Sequence, residues 1–110
     1  MIGMALSAAA SGLLRALLAR AGSDPNRILL IKCRSIDWQS LTFIGERHHI
    51  RLRVSGPDAE TLVGRLTGGL ENAEFTIPGH IVADIVSVGQ PQRDGDGSIS
   101  VEFEALTIAA

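Results

Sequence analysis

The chain has 110 residues, of which 45% are apolar and 20% are charged, and its net charge at neutral pH is −2. These values supply enough apolar surface for one core and exclude wholesale disorder. The charge balance and the few aromatic residues (one Trp, three Phe, no Tyr) argue against nucleic-acid binding, which uses excess positive charge and stacking side chains. We therefore expect a single domain, residues 1–110, with no nucleic-acid partner.

The single cysteine and the N-terminal stretch bear on location. Cys33 has no partner for an internal disulfide and lies in an apolar run, so we expect a thiol in the core and a reducing compartment. No basic residue precedes the apolar N-terminal stretch, and Arg15 interrupts it, which argues against a signal peptide and a membrane span. We expect a cytoplasmic protein, or a virion-associated one if it derives from a phage.

The first predicted element is a helix over residues 4–21, because Leu and Ala recur at intervals of three and four opposite a polar stripe. Gly22 supplies its C-terminal stop. The polar stripe is narrow and the other flank is alanine, so the helix is more apolar than one sheet contact requires. This pattern predicts a second partner surface on the helix.

Two strands follow, over about residues 28–37 and 41–55, where β-branched and apolar residues alternate with polar ones. Trp38 lies between them, at the predicted turn. Because side chains alternate along a strand, His48 belongs to the core-facing row and His49 to the solvent-facing row. Two adjacent histidines on one strand therefore cannot point at a single metal ion without distortion.

A second helix is predicted over residues 57–68. Ser55 or Gly56 is expected to cap its N-terminus, and a Gly-Gly pair ends it. Two more strands, over about 80–88 and 98–108, are joined by "PQRDGDGS", the clearest hairpin turn in the chain.

The order of the predicted elements is α-β-β-α-β-β. It predicts an α+β fold in which an antiparallel sheet of about four strands carries both helices on one face. The apolar parity of the last strand changes after Ala105, which predicts a β-bulge near that residue or a second covered face.

The candidates for a chemical site are His48 and His80, with Glu46 and Asp84 as nearby acids. No HExxH or CxxC spacing, nucleophile elbow or phosphate-binding glycine loop accompanies them. The pattern favours surface or capping histidines, no metal, no cofactor and no catalysis. Asp84 is expected either to be exposed at a sheet edge or, as the preferred interpretation, to pair with an arginine across the sheet. A small ligand- or metal-binding domain or a hydrolase, using these residues in a pocket between helix and sheet, is the alternative.

The arginines of the second strand alternate along its solvent-facing row. They include Arg47 and Arg51, and the last strand carries Glu102 and Glu104 at matching spacing. If the two strands are neighbours, opposite charges meet across the sheet and form ion pairs.

The layout resembles the small tail-terminator and head-tail joining proteins of phages and gene-transfer agents. The likeness lies in the N-terminal helix, a strand with the pattern H-x-I-x-L-x-V from His48 to Val54, a leucine-striped helix, and a final hairpin with a DG turn before Val101 and Phe103. The resemblance implies a ring-forming assembly protein without catalysis or cofactor. We therefore expect the partner to be a second copy of the chain or another protein.

The sequence also resembles uncharacterised short alphaproteobacterial proteins. They share "W-x-S-x-T-F-x-G-E-R-H", here from Trp38 to His48, and "A-E-F-x-x-P-G-H-I-V-A-D-I", here residues 73–85. This resemblance makes Trp38, Arg47, His48 and His80 the candidates for a shared surface.

Overall fold

The computed structural model describes residues 5–22 and 25–110. Two helices and five strands form in chain order, with single 3-10 turns at Pro25–Arg27 and Leu70–Asn72. The elements are α1 (Ala8–Ala21), β1 (Ile28–Gln39), β2 (Ile44–Val54), α2 (Ala59–Thr67), β3 (His80–Ser87), β4 (Gln92–Arg93) and β5 (Ile99–Ala109). The predicted α+β class is confirmed, and β4 is an additional short strand.

The strands form one antiparallel sheet with the order β1-β2-β5-β3. β4 pairs with the first residues of β5, where Gln92 lies opposite Ser100 and Arg93 opposite Ile99. The second and last strands are therefore neighbours, which is the condition for the expected cross-strand ion pairs. β1 and β3 form the two edges of this four-strand path, so each has one side without a strand partner among the described residues.

Both helices pack on one face of the sheet, which we call the covered face. Alternate residues of β2 and β5 point into this face and lie opposite one another, as Ile50 does with Phe103. Leu13 and Leu17 of α1 pack against the same core, in which Phe103 is completely buried. Burial of each large apolar side chain contributes about 1.5–3 kcal/mol to the free energy of unfolding. The inward-facing residues of β2 and β5, packed under the helices, are therefore the main source of stability.

Helix α1 begins at Ala8, where the hydroxyl oxygen of Ser7 accepts a hydrogen bond of 3.1 Å from the N–H of Ala10. The predicted start is wrong for residues 5–7, which precede the helix, because the extended backbone of Ser7 makes it the N-cap; residue 4 lies outside the described residues. Gly22 ends the helix as predicted, in the left-handed conformation (φ 62°), and its N–H donates to the carbonyl of Ala19. The positive φ favours glycine because it has no Cβ.

The predicted cap of α2 is wrong. The helix begins at Ala59, so its N-cap is Asp58 rather than Ser55 or Gly56, and the Asp58 side chain caps no N–H. Its carboxylate instead forms an ion pair with Arg27, whose guanidinium also donates two hydrogen bonds to the carbonyl oxygen of Ser55. The hydrogen bond from Arg27 lowers the pKa of Asp58. Tertiary pairing has therefore displaced the local capping interaction.

The β1–β2 hairpin is longer than predicted, because β1 continues to Gln39 and includes Trp38. The turn comprises Ser40 to Phe43. In it the N–H of Ser40 donates to the carbonyl of Phe43 at 2.9 Å, and the Ser40 hydroxyl accepts from the Phe43 N–H at 3.1 Å. Trp38 is consequently a strand residue beside the turn.

The bulge predicted near Ala105 is absent, since β5 pairs with β2 in unbroken register from Gly45↔Ile108 to Val54↔Ile99. The apolar parity changes because the inward residue after Ala105 is the polar Thr107, which is fully buried. Register shifts lie instead in the two edge strands, between Leu30 and Lys32 and between Val82 and Asp84. These shifts alter which edge side chains reach each face.

Candidate functional site

A row of polar side chains crosses three strands inside the covered face. His48 of β2 is 2% exposed, its Nδ1 is 2.7 Å from the hydroxyl of Ser35 on β1, and its Nε2 is 2.8 Å from the hydroxyl of Thr107 on β5. In a neutral imidazole one nitrogen donates and the other accepts, and each hydroxyl can play either complementary role. The row is therefore internally satisfied and joins β1, β2 and β5.

Burial lowers the pKa of His48. The loss of hydration is the largest cause, the negative charge of Glu46 opposes it, and the positive charge of His80 adds to it. Lowering this pKa keeps the ring neutral at physiological pH. Among the described residues, the two hydrogen-bond partners of His48 are hydroxyls rather than carboxylates, so the row lacks the acid that orients the histidine of a hydrolytic triad.

A cleft of about 360 Å³ lies at the hairpin end of the sheet, next to this row. It brings together three of the sequence-predicted residues, Trp38, Glu46 and His80, and adds Asp37 and the backbone around Thr107. His80 begins β3 and is partly buried, with its Nδ1 donating to the carbonyl of Pro78 at 3.1 Å. Asp37 and Glu46 lie opposite one another on the helix-covered side of the sheet, whereas Trp38, opposite Gly45, has the alternate side-chain direction and borders the cleft. The two carboxyl groups give the cleft a negative charge, which suits a small cation.

The other two predicted site residues lie elsewhere. Arg47 and Asp84 both point away from the helices, onto what we call the open face of the sheet, and both are exposed. The expected ion pair between Asp84 and an arginine is absent from the ion pairs of the described residues. Asp84 lies opposite Leu106, and the arginine of the same row, Arg47, lies one strand further on.

The charged residues of the open face form cross-strand pairs, as predicted for Glu102. His49 Nε2 donates to Glu102 at 2.8 Å, and Arg51 approaches its second oxygen at 3.4 Å. The hydrogen bond from His49 is the largest cause that lowers the pKa of Glu102. Glu104, the other predicted acid, is exposed and takes part in none of the ion pairs of the described residues. Hence two of the alternating basic residues of β2, His49 and Arg51, form ion pairs with an acid of the neighbouring strand.

Large exposed apolar side chains concentrate at the hairpin end. We call this group the apolar end; its members and their exposed fractions are Ile36 (51%), Leu41 (104%), Phe43 (52%), Ile44 (63%) and Ile81 (56%). Ile36 and Ile81 lie on the two edge strands, and the other three lie in or beside the hairpin turn. Grouped exposed apolar side chains are typical of a surface that another molecule covers.

Helix α1 does not provide the second partner surface that its composition predicts. Leu13 and Leu17 are fully buried, while Leu14 and Leu18 are half-buried against the same core. The apolar flank is used within the domain, partly against α2. The surplus apolar surface therefore lies on the strands.

Sequence reasoning missed the residues that complete both features. Ser35 lies opposite His48, and Thr107 lies opposite Glu46, the next inward-facing residue of β2, and only the pairing register reveals this. Leu41 carried a weak signal, since an apolar residue flanked by Ser40 and Thr42 in a turn has no core to enter.

Cys33, expected in the core, is half-buried and packs at its margin. Burial is the largest cause that raises the pKa of its thiol, which disfavours the reactive thiolate.

Comparison with protein-family models, curated proteins and solved structures finds no match. Within residues 5–22 and 25–110, no group of three or more His, Cys, Asp or Glu side chains is arranged to hold a metal ion. In the same ranges, no helix is long and apolar enough to cross a membrane.

Proposed function

We propose that the protein is a non-enzymatic assembly domain that acts as a homo-oligomer, in the manner of a phage tail-terminator protein. The apolar end is the observation that carries this proposal. Its five side chains are each at least half exposed, and Leu41 is as exposed as in an extended chain. Exposing this much apolar surface costs free energy, at about 25 cal/mol per Å², which a covering partner recovers. The assembly would act in the cytoplasm, or in a virion if the protein is phage-derived.

The way the polar groups are used supports the non-enzymatic part of the proposal. His48 is 2% exposed and both its ring nitrogens bind hydroxyls inside the core, so the ring is shielded from the contact with substrate that a general base requires. Asp84 lies on the open face, apart from the partly buried His80. Glu46, the other acid of the alternative hydrolase constellation, shares the cleft with His80, but His48 is not among the residues that line it.

A paired set of variants tests the proposal. In Leu41→Ser/Phe43→Ser the apolar hairpin turn becomes polar, while in Leu29→Ser another exposed leucine (58%) is changed at the opposite end of β1. We expect the hairpin variant to shift the native mass, measured by light scattering after size exclusion, toward the monomer. The Leu29 variant should keep the wild-type mass. Equal masses for all three proteins at matched concentrations would contradict the role of the apolar end.

The cleft beside Trp38 supports a second candidate function, the binding of a small organic cation. Asp37 and Glu46 line the cleft and supply negative charge, and Trp38 borders it. Trp38 is the single tryptophan of the chain, so its fluorescence reports occupancy of the cleft. Titration with tetramethylammonium or arginine should change this fluorescence in the wild type and not in Asp37→Asn/Glu46→Gln. An unchanged wild-type spectrum at millimolar concentrations of both cations would argue against this candidate.

A further inference from the structure

The two edges of the sheet are free to pair with another strand. Among the described residues, β1 pairs only with β2, and β3 pairs with β5 apart from one bridge between its first residue, His80, and Ile77. The outer sides of β1 and of β3 after His80 therefore have no strand partner within the described ranges. Unpaired edges of this kind are templates for strand addition. The path β1-β2-β5-β3 has four antiparallel strands, so β1 and β3 run in opposite directions. A second copy in the same orientation can therefore continue the sheet with antiparallel pairing.

The side chains of the two edges are complementary on the open face. β1 presents the exposed cations Lys32 and Arg34, followed by Ile36, whereas β3 presents Ile81 followed by the exposed anion Asp84. None of the ion pairs of the described residues involves Arg34 or Asp84. The β1 edge therefore offers one apolar position and two unpaired cations, and the β3 edge offers one apolar position and one unpaired anion.

The register shows how these positions meet. Ile36 and Asp84 lie in the same row across the sheet, because Ile36 is opposite Arg47, Arg47 opposite Leu106, and Leu106 opposite Asp84. Ile81 occupies the adjacent row nearer the hairpin, and Arg34 the adjacent row on the other side. A stagger of one row, two residues along the strand, sets Ile81 of one copy opposite Ile36 of the next. The same stagger sets Asp84 opposite Arg34.

Pairing between like edges is disfavoured by the same charges. Two β1 edges would bring Lys32 and Arg34 close to their own copies, and two β3 edges would bring two Asp84 carboxylates together. Like charges placed opposite one another at an interface oppose association. Head-to-tail pairing avoids both contacts, and repetition of a head-to-tail contact closes a ring when the rotation between copies divides a full turn.

We propose that a second copy of this chain extends the sheet, with the β1 edge of one copy paired to the β3 edge of the next through Arg34–Asp84 and Ile36–Ile81. This inference rests on the proposed homo-oligomer and names its interface. The stagger also carries the hairpin turn of one copy past the end of its neighbour's sheet.

Charge reversal with mutual rescue tests the interface. Arg34→Glu and Asp84→Arg each place like charges at the contact, and we expect each to weaken association at least about tenfold at low salt. The double variant Arg34→Glu/Asp84→Arg restores opposite charges and should recover the wild-type mass. Arg47→Glu is the matched control, because Arg47 is an exposed arginine of the same face on the interior strand β2. Circular dichroism verifies that each variant is folded.

The outcomes distinguish the proposed edge pairing from the proposed homo-oligomer on which it rests. Loss of association in both single variants, with recovery in the double variant and none lost in Arg47→Glu, establishes the interface. An oligomer whose mass is unchanged by either reversal, or single-variant losses that the double variant does not repair, overturns the edge pairing and leaves the homo-oligomer standing. A wild-type protein that is monomeric at every concentration overturns both.

Discussion

His48 and Thr107 lie on neighbouring strands and are joined inside the core by a hydrogen bond of 2.8 Å between Nε2 and the threonine hydroxyl. Thr107 is fully buried, and His48 is 2% exposed, so water cannot replace either partner. If β2 and β5 paired in another register, a buried polar group would lose its hydrogen-bond partner without gaining water, which costs free energy. The His48–Thr107 hydrogen bond therefore favours the observed register.

Thr107→Val should destabilise the protein by about 1–3 kcal/mol, since valine keeps the shape of threonine but leaves the imidazole nitrogen without a partner. Thr107→Ser, which keeps the hydroxyl and loses one methyl group, should cost about 1 kcal/mol. Urea unfolding followed by circular dichroism gives both values. A valine variant at least as stable as the wild type would show that the hydrogen bond contributes nothing.

The lowered pKa of His48 makes stability depend on pH. Below the ordinary histidine pKa of 6.5 the unfolded chain takes up a proton at this residue more readily than the folded one. The stability that the neutral ring contributes is therefore fully present above that value, and it is lost as the pH falls through the lower pKa of the folded state.

Unfolding by urea between about pH 7.5 and pH 5 measures this loss in the wild type and in His48→Gln, which cannot titrate. The variant should show the smaller change. The pKa of Glu102 is lowered by its hydrogen bond from His49, so its contribution is lost only as the pH falls below 4.5, outside this range. Parallel curves for the two proteins would contradict the linkage to His48.

Gly45 marks a close approach between β2 and β5. A Cβ added there would overlap the carbonyl oxygen of Thr107, whereas a Cβ on Gly64, in α2, would meet nothing within 4 Å. Gly45→Ala should therefore destabilise the protein by more than about 1 kcal/mol, because strand backbones must separate. Gly64→Ala should stabilise it by up to about 1 kcal/mol through helix propensity. Thermal unfolding of both variants checks the opposite signs, and a neutral or stabilising Gly45→Ala would contradict the packing.

Alternation along a strand predicted correctly that His48 faces inward and His49 outward, because side-chain direction is a local property. The pairing of His49 and Arg51 with Glu102 followed from matched spacing on two strands that proved to be neighbours. The polar row could not be predicted in the same way, since Ser35 and Thr107 meet His48 only through a register that long-range packing determines.

The position of Asp84 shows a second limit. The register shift between Val82 and Asp84 moves this carboxylate to the open face. The shift could not be predicted from the sequence, because neither valine nor aspartate requires a bulge. The cap of α2 failed for a related reason, because Arg27 is distant in sequence and takes Asp58 as its partner. Local sequence patterns therefore predicted the helices and strands. The contacts of the site residues could not be predicted, because they depend on residues that are distant in sequence.

The native mass of the wild-type chain in solution, measured by light scattering after size exclusion at two concentrations, tests the central claim most directly. The account predicts a mass of two or more whole monomers that persists on dilution. A monomer at both concentrations would contradict the assembly function and leave the cleft beside Trp38 as the feature to explain.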